Sequence, residues 1–298
     1  MPRALAALLL VLGTASAAPG GPLVVVATST DLKALVEVVG GDRVAVESLT
    51  PPLADPHAVT VKPGQLARLK TAALLVRIGL DHEPWLAPAL RTVGGGPADL
   101  DASRGLRLLQ TETPRVRPER GVHLHAFGNT HYWLDPENAR PITRAIADAL
   151  AGLAPADRAA LDANRARFLT RLDAGMARWT KALAPHRGAR LVVAHETWTY
   201  FAERFGLRLV AAVEPTPGVP PTPASLEALA GRMRGQGVRL IVAEPHADQA
   251  LVGRLATLAD ARVVTLVPSV GGDPAAGDYL ALFDLNVGRL AAALARAR

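Results

Sequence analysis

The chain has 298 residues, 49% of them hydrophobic and only 4% aromatic, which is enough to bury a substantial core and suits two domains better than one. Its net charge is +6, yet the 33 basic residues are scattered among 27 acidic ones with no basic block beside exposed aromatics; the charge describes solvated faces and argues against nucleic acid as a partner. There is no cysteine, which excludes disulfides, thiolate metal ligands and lipidation through cysteine.

Arg3, the short apolar run at 4–12 and the small-residue signal Ala15-Ser16-Ala17 read as a cleaved secretory signal peptide over residues 1–18. The run is too short for a permanent anchor, which needs roughly 20 apolar residues. The expectation is a soluble periplasmic monomer with no membrane anchor of its own.

Leu23–Ala27 is a continuous apolar run of strand length, and Ser29-Thr30-Asp31 can cap a helix that ends at Gly40-Gly41. The alternation repeats. Strands are expected at 44–49, 73–78 and 106–109, helices at 63–69 and 83–90, and a proline-rich loop at 51–57. From Asp157 to Leu183 no proline intervenes, and Leu161, Phe168, Leu172, Met176, Trp179 and Leu183 form one helical stripe. At about 1.5 Å per residue this helix would be roughly 40 Å long, suited to lie across two lobes. The second half repeats the first, with strands at 191–194, 207–213, 240–243 and 263–267 and helices at 197–205, 223–234, 248–258 and from 279 onward. The predicted architecture is α/β: two parallel-sheet lobes, 19–154 and 187–298, joined by one long rigid helix at 155–186.

Three of the eight histidines, His123, His125 and His131, fall in one segment that leads into Tyr132-Trp133-Leu134-Asp135-Pro136. Imidazole is the commonest neutral metal ligand, and ligands of parallel sheets bind beyond the carboxyl ends of strands. His57, His131 and His195 all follow predicted strands, and so does Glu244. Together they have the composition of a four-coordinate zinc site in the cleft between lobes. For any one of these histidines, a cap or a bond to a loop carbonyl is an equal reading. His82 and His186 read as surface positions and His246 as exposed, while Asp55 and Asp135 are either acceptors that orient an imidazole or ordinary loop acids.

The segments Asp55-Pro56-His57 with Lys62-Pro63, Gly79-Leu80-Asp81 with Glu83-Pro84-Trp85-Leu86, His131-Tyr132-Trp133-Leu134-Asp135-Pro136, and His195-Glu196 with Tyr200-Phe201 resemble the solute-binding proteins of zinc and manganese ABC importers. The resemblance covers nearly the whole chain after the signal. It implies two α/β lobes on a rigid helix, a metal held between them, and His57, His131 and His195 as the imidazole ligands. It also marks a departure. The family usually has an aspartate ligand in a Leu-Asp-Pro pattern where this chain reads Leu266-Val267-Pro268, so the fourth donor is expected to be water, Glu244, or an imidazole from His123 or His125.

The expected function is capture of Zn2+ for an ABC permease, with Mn2+ or another divalent metal as alternatives; nitrogen donors favour zinc over manganese. Binding needs neutral imidazoles and should weaken below roughly pH 6.5. The alternatives are a secreted zinc hydrolase using Glu196 or Glu244 as base, and a metal chaperone or adhesin on the same scaffold. No HExxH helix or GxSxG elbow supports an enzyme.

Overall fold

The computed structural model describes residues 21–54, 56, 57, 59–110, 128–214 and 220–297, and among these the chain forms eight strands and nine α-helices. The expected signal segment, Asp55, His123 and His125 lie outside the described residues.

In the first half, β1 (Leu23–Ala27), α1 (Thr30–Gly40), β2 (Val44–Ser48), α2 (Pro63–Thr71), β3 (Leu74–Arg77), α3 (Leu86–Thr92) and β4 (Ala98–Asp101) alternate along the chain. The strands are all parallel, in the order β2-β1-β3-β4. In the second half, β5 (Arg190–Val193), α6 (Thr199–Phe205), β6 (Arg208–Ala212), α7 (Pro223–Gly235), β7 (Leu240–Ala243), α8 (Gln249–Ala259), β8 (Arg262–Thr265) and α9 (Tyr279–Arg296) do the same, with order β6-β5-β7-β8. The two sheets thus share one winding. In each, the order reverses beside the first strand, and such a switch opens a crevice at the strands' carboxyl ends.

Helix α4 (Ala139–Leu153) packs on α1 and completes the first half, and α5 (Arg158–Leu183) runs between the halves. The 26 residues of α5 bury Leu161, Phe168, Leu172, Trp179 and Leu183, the stripe read from the sequence; Met176 is only partly covered. Helix α5 packs on α1 and α4 of the first half and on α9 of the second. One apolar core therefore runs from β1 and β3 through α5 to β5 and β7, while the outer face of each sheet has a smaller core of its own. Closely packed interiors are stiff, so this shared core fastens both sheets to the same helix.

Two expectations are corrected. The fourth strand is Ala98–Asp101, not 106–109. It is an edge strand, and its acids Asp99 and Asp101 face Arg77 of β3 at 3.0 and 3.1 Å, so cross-strand ion pairing replaces the apolar signal. Leu106 and Leu109 instead pack against the central core without strand pairing. Helix α4 has no counterpart among the expected elements, although Ile142, Ile146 and Leu150 repeat at fours along its buried face. Among the described residues no helix is long and apolar enough to cross a membrane.

Candidate metal centre

His57, His82 and His131 each offer a ring nitrogen, and these atoms all lie within 4.8 Å of one another. Three atoms so spaced share a point no more than about 2.8 Å from each, so a small inward shift reaches the roughly 2.0–2.1 Å of a Zn–N bond. The rings meet edge to face, His57 on His82 at 4.5 Å and His82 on His131 at 5.6 Å between centroids. Each comes from a different loop at the carboxyl end of the first sheet: after β2, after β3, and in the segment beyond β4.

Hydrogen bonds select which nitrogen carries the lone pair. His57 Nδ1 is 3.0 Å from the carbonyl oxygen of His82, which can only accept, so Nδ1 bears the proton and Nε2 the lone pair. His131 Nδ1 donates to Asn129 Oδ1 at 3.0 Å. The amide assignment is fixed by its other end, where Asn129 Nδ2 donates to the Glu196 carbonyl oxygen at 2.7 Å and to Gln110 Oε1 at 2.9 Å. His82 Nδ1 lies 2.8 Å from Thr130 Oγ1. A neutral acceptor behind Nδ1 is how proteins orient imidazoles that ligate through Nε2.

The loops are held by neighbours that the sequence motifs contain. Trp85 Nε1 donates to the Pro56 carbonyl oxygen at 2.8 Å, pinning the His57 loop. The turn before His82 has positive φ at Gly79, Leu80 and Asp81, with values of 77°, 56° and 57°. A left-handed backbone costs roughly 1–2 kcal/mol for a residue with a Cβ, so Leu80 and Asp81 are strained. Buried Glu83 offsets this strain by accepting from Thr28 Oγ1, Ile78 N and Gly79 N at 2.6, 2.7 and 3.1 Å. Burial pushes its carboxyl up to about 7 in spite of those donors.

The residues expected from the sequence are distributed as follows. His57 and His131 stand together. His82, expected at the surface, is 1% exposed and stands with them. It follows β3 by five residues, so the rule that ligands gather beyond strand ends was the signal that applied to it. His195 is on the second lobe after β5, outside the group of three; its Nε2 is 3.7 Å from Glu214 Oε2, and its buried Nδ1 has no hydrogen-bond partner among the described residues. Glu244, after β7, is fully buried and accepts from Trp198 Nε1 at 2.8 Å. Burial raises its pKa, opposed by the nearby His195 imidazole and by hydrogen bonds from Thr197 and Trp198.

Asp135 is engaged by an arginine and a turn. It takes both arms of Arg204 at 2.6 and 2.7 Å and caps the turn at Glu137 N, because the guanidinium from α6 is the stronger partner. His186 is partly exposed and His246 exposed. Val267 is 1% exposed, and its backbone is held at both ends by Asn286, N–H to Oδ1 at 2.9 Å and Nδ2 to carbonyl at 2.7 Å. An apolar side chain there offers no metal a donor.

Three known proteins show what the chain is similar to. It is 26% identical over 243 residues to the high-affinity zinc uptake system protein ZnuA of Yersinia pestis, covering 76% of each chain. It is 26% identical over 282 residues to the protein of that name in Paracoccus denitrificans, covering 84% of this chain and 85% of the relative. A crystal structure of ZnuA superposes with a TM-score of 0.78 at 26% identity, over 92% of this chain and 99% of the other. The family model described as "Zinc-uptake complex component A periplasmic" matches residues 25–293. With two parallel sheets wound alike, imidazoles gathered at the end of one of them, and a match spanning nearly all of its length, the chain belongs to that family of periplasmic zinc-uptake components.

Proposed function

We propose that this protein is an extracytoplasmic solute-binding protein that captures a zinc ion at the histidine centre between its lobes and delivers it to the permease of an ABC importer. The observation that carries this reading is the convergence of His57 and His131, with His82, to within 4.8 Å. Zinc is the cargo here. Imidazole donors suit it better than manganese, whose harder ion prefers oxygen. His195, across the cleft, is the ligand by which the second lobe closes on the ion.

Membership of a periplasmic family and the Arg3 to Ala17 pattern together support export by a signal peptide over residues 1–18. The position of α5, Arg158–Leu183, supports lobe boundaries near 154 and 187. Capture is favoured over hydrolysis because Glu244, offered as a general base, is fully buried with Oε1 occupied by Trp198, where no substrate reaches it.

The test is calorimetric titration of the metal-stripped protein with zinc, beside His57→Ala and His131→Ala. The expected outcome is one tightly bound ion per chain, lost in both variants. A parent that takes up no zinc, or variants that bind as the parent does, would end this reading.

A further inference from the structure

We propose that His82 is the fourth metal ligand of this site, in place of the carboxylate that the resemblance leads one to expect at Val267, so that zinc is held by four imidazoles of which three are preassembled on one lobe. The inference rests on the function proposed above and deepens it by naming the donor set.

Four observations converge on His82. Its ring belongs to the only group of three metal-donor side chains that meets within 4.8 Å among the described residues. It is 1% exposed, and a buried imidazole with no task beyond packing is a poor exchange for an apolar side chain of the same volume. Ligation through Nε2 requires Nδ1–H to be donated, and Thr130 Oγ1 at 2.8 Å is placed to accept it; Thr130 is next to His131, so one loop would both supply a ligand and orient its neighbour. The backbone that carries His82 is strained at Leu80 and Asp81 and anchored by three hydrogen bonds to Glu83, an arrangement that fixes the direction of one side chain at a cost in stability.

The complementary observation lies at the segment where the resemblance expects the aspartate. Val267 is packed, Asn286 holds both of its backbone polar groups, and the next carbonyl, Pro268, accepts from Trp133 Nε1 at 2.9 Å. The indole of Trp133 in turn lies against His82 and His131 at 5.4 and 5.2 Å. The segment that would bring a carboxylate is therefore used as a wall behind two imidazoles. With three donors on one lobe, His195 completes a site that already exists; the set contains no oxygen and disfavours manganese.

The test combines zinc K-edge X-ray absorption on the zinc-loaded parent with titration of His82→Phe, His82→Gln and His195→Ala. Four imidazoles around zinc are expected in the parent, and three in His82→Phe. Loss of a group that only orients a ligand weakens metal binding about 10–100-fold, so loss of the ligand itself should exceed about 100-fold. His195→Ala should keep one ion per chain and lose less affinity than either His82 variant. His82→Gln retains an amide able to bond Thr130 and covers the case in which the phenyl ring does not fit, judged by melting of the metal-free form. If the parent binds zinc and His57→Ala and His131→Ala abolish binding, but the His82 variants keep parental affinity or an unchanged absorption spectrum, His82 is not a ligand while the capture function stands. Three imidazoles and an oxygen in the parent would also overturn the proposal. A parent that binds no zinc would fail the function and the ligand assignment together.

Discussion

Asn129 Oδ1 accepts both the backbone N–H and the ring Nδ1–H of His131, at 2.9 and 3.0 Å, while Asn129 Nδ2 donates across the cleft to the carbonyl oxygen of Glu196. One amide thus orients a candidate ligand of the first lobe and ties it to the residue after His195. Its other supports also come from both sides: Asn129 N donates to Leu109 O, and its own carbonyl accepts from Tyr200 Oη on α6. Asn129→Ala is expected to weaken zinc binding about 10–100-fold with the one-to-one stoichiometry intact. Titration against a chelator of known strength measures this, and an unchanged affinity would show that the bond to His131 orients nothing.

Trp133 offers an optical report of the same site. Its ring lies within 5.4 Å of two candidate ligands, between them and the segment after β8, whereas Trp179 packs on Phe283 in the spine between α5 and α9. Zinc should change the tryptophan emission, and Trp133→Phe should remove most of that change while Trp179→Phe preserves it. A response untouched by Trp133→Phe would place the bound ion elsewhere.

Asp31 predicts how stability depends on pH. It is fully buried at the start of α1, with Oδ1 accepting from Val270 N of the other half at 3.0 Å and Oδ2 lacking any partner among the described residues. Burial pushes its carboxyl from 3.8 up to about 7, against the Val270 and Ser269 hydrogen bonds, and the buried Tyr279 hydroxyl feels its charge in turn. Because the folded form holds this proton more tightly than the unfolded chain does, the contribution is fully present below pH 4 and is lost as the pH rises through about 7. Asn has the same shape and no proton to lose. Between pH 5 and 8 the metal-free Asp31→Asn protein should therefore gain up to about 3 kcal/mol on the parent, read from urea unfolding at the two pH values. A difference that does not change with pH would mean that Asp31 titrates alike in both states.

Gly79 and Gly105 share a φ of 77°, so each loses about 1–2 kcal/mol on substitution by alanine from backbone strain alone. They differ in their surroundings. A Cβ at Gly79 would stand 2.3 Å from Asp101 Oδ1, and one at Gly105 would meet nothing within 4 Å. Gly79→Ala should be the more destabilising, and it alone should weaken zinc binding, because the displaced turn carries His82. Thermal melts and titrations of both variants give the comparison; equal losses would mean that Asp101 moves aside freely.

Much of the fold was legible because its signals are local. Continuous runs such as Leu23–Ala27 and the stripe from Leu161 to Leu183 carry their burial in their own spacing, and the recurrence of strand and helix implies parallel sheets covered on both faces. The signal failed where burial is shared with charge. β4 reads Ala-Asp-Leu-Asp because an edge strand can satisfy acids from its neighbour's arginine, and no window of sequence contains that arginine.

The same division runs through the site. Sequence alone determined that His57 and His195 stand after strands, that His131 opens a separate loop motif, and that neither a cysteine nor an acid at position 267 is present as a donor. Only the tertiary structure decided that His82 joins His57 and His131 and that Asp135 turns away to Arg204. The physical reason is that both outcomes depend on direction rather than composition. Three left-handed residues in succession aim His82 inward, and a guanidinium contributed 69 residues later claims Asp135, so each side chain's partner is set by a backbone angle or a distant helix that local spacing does not encode.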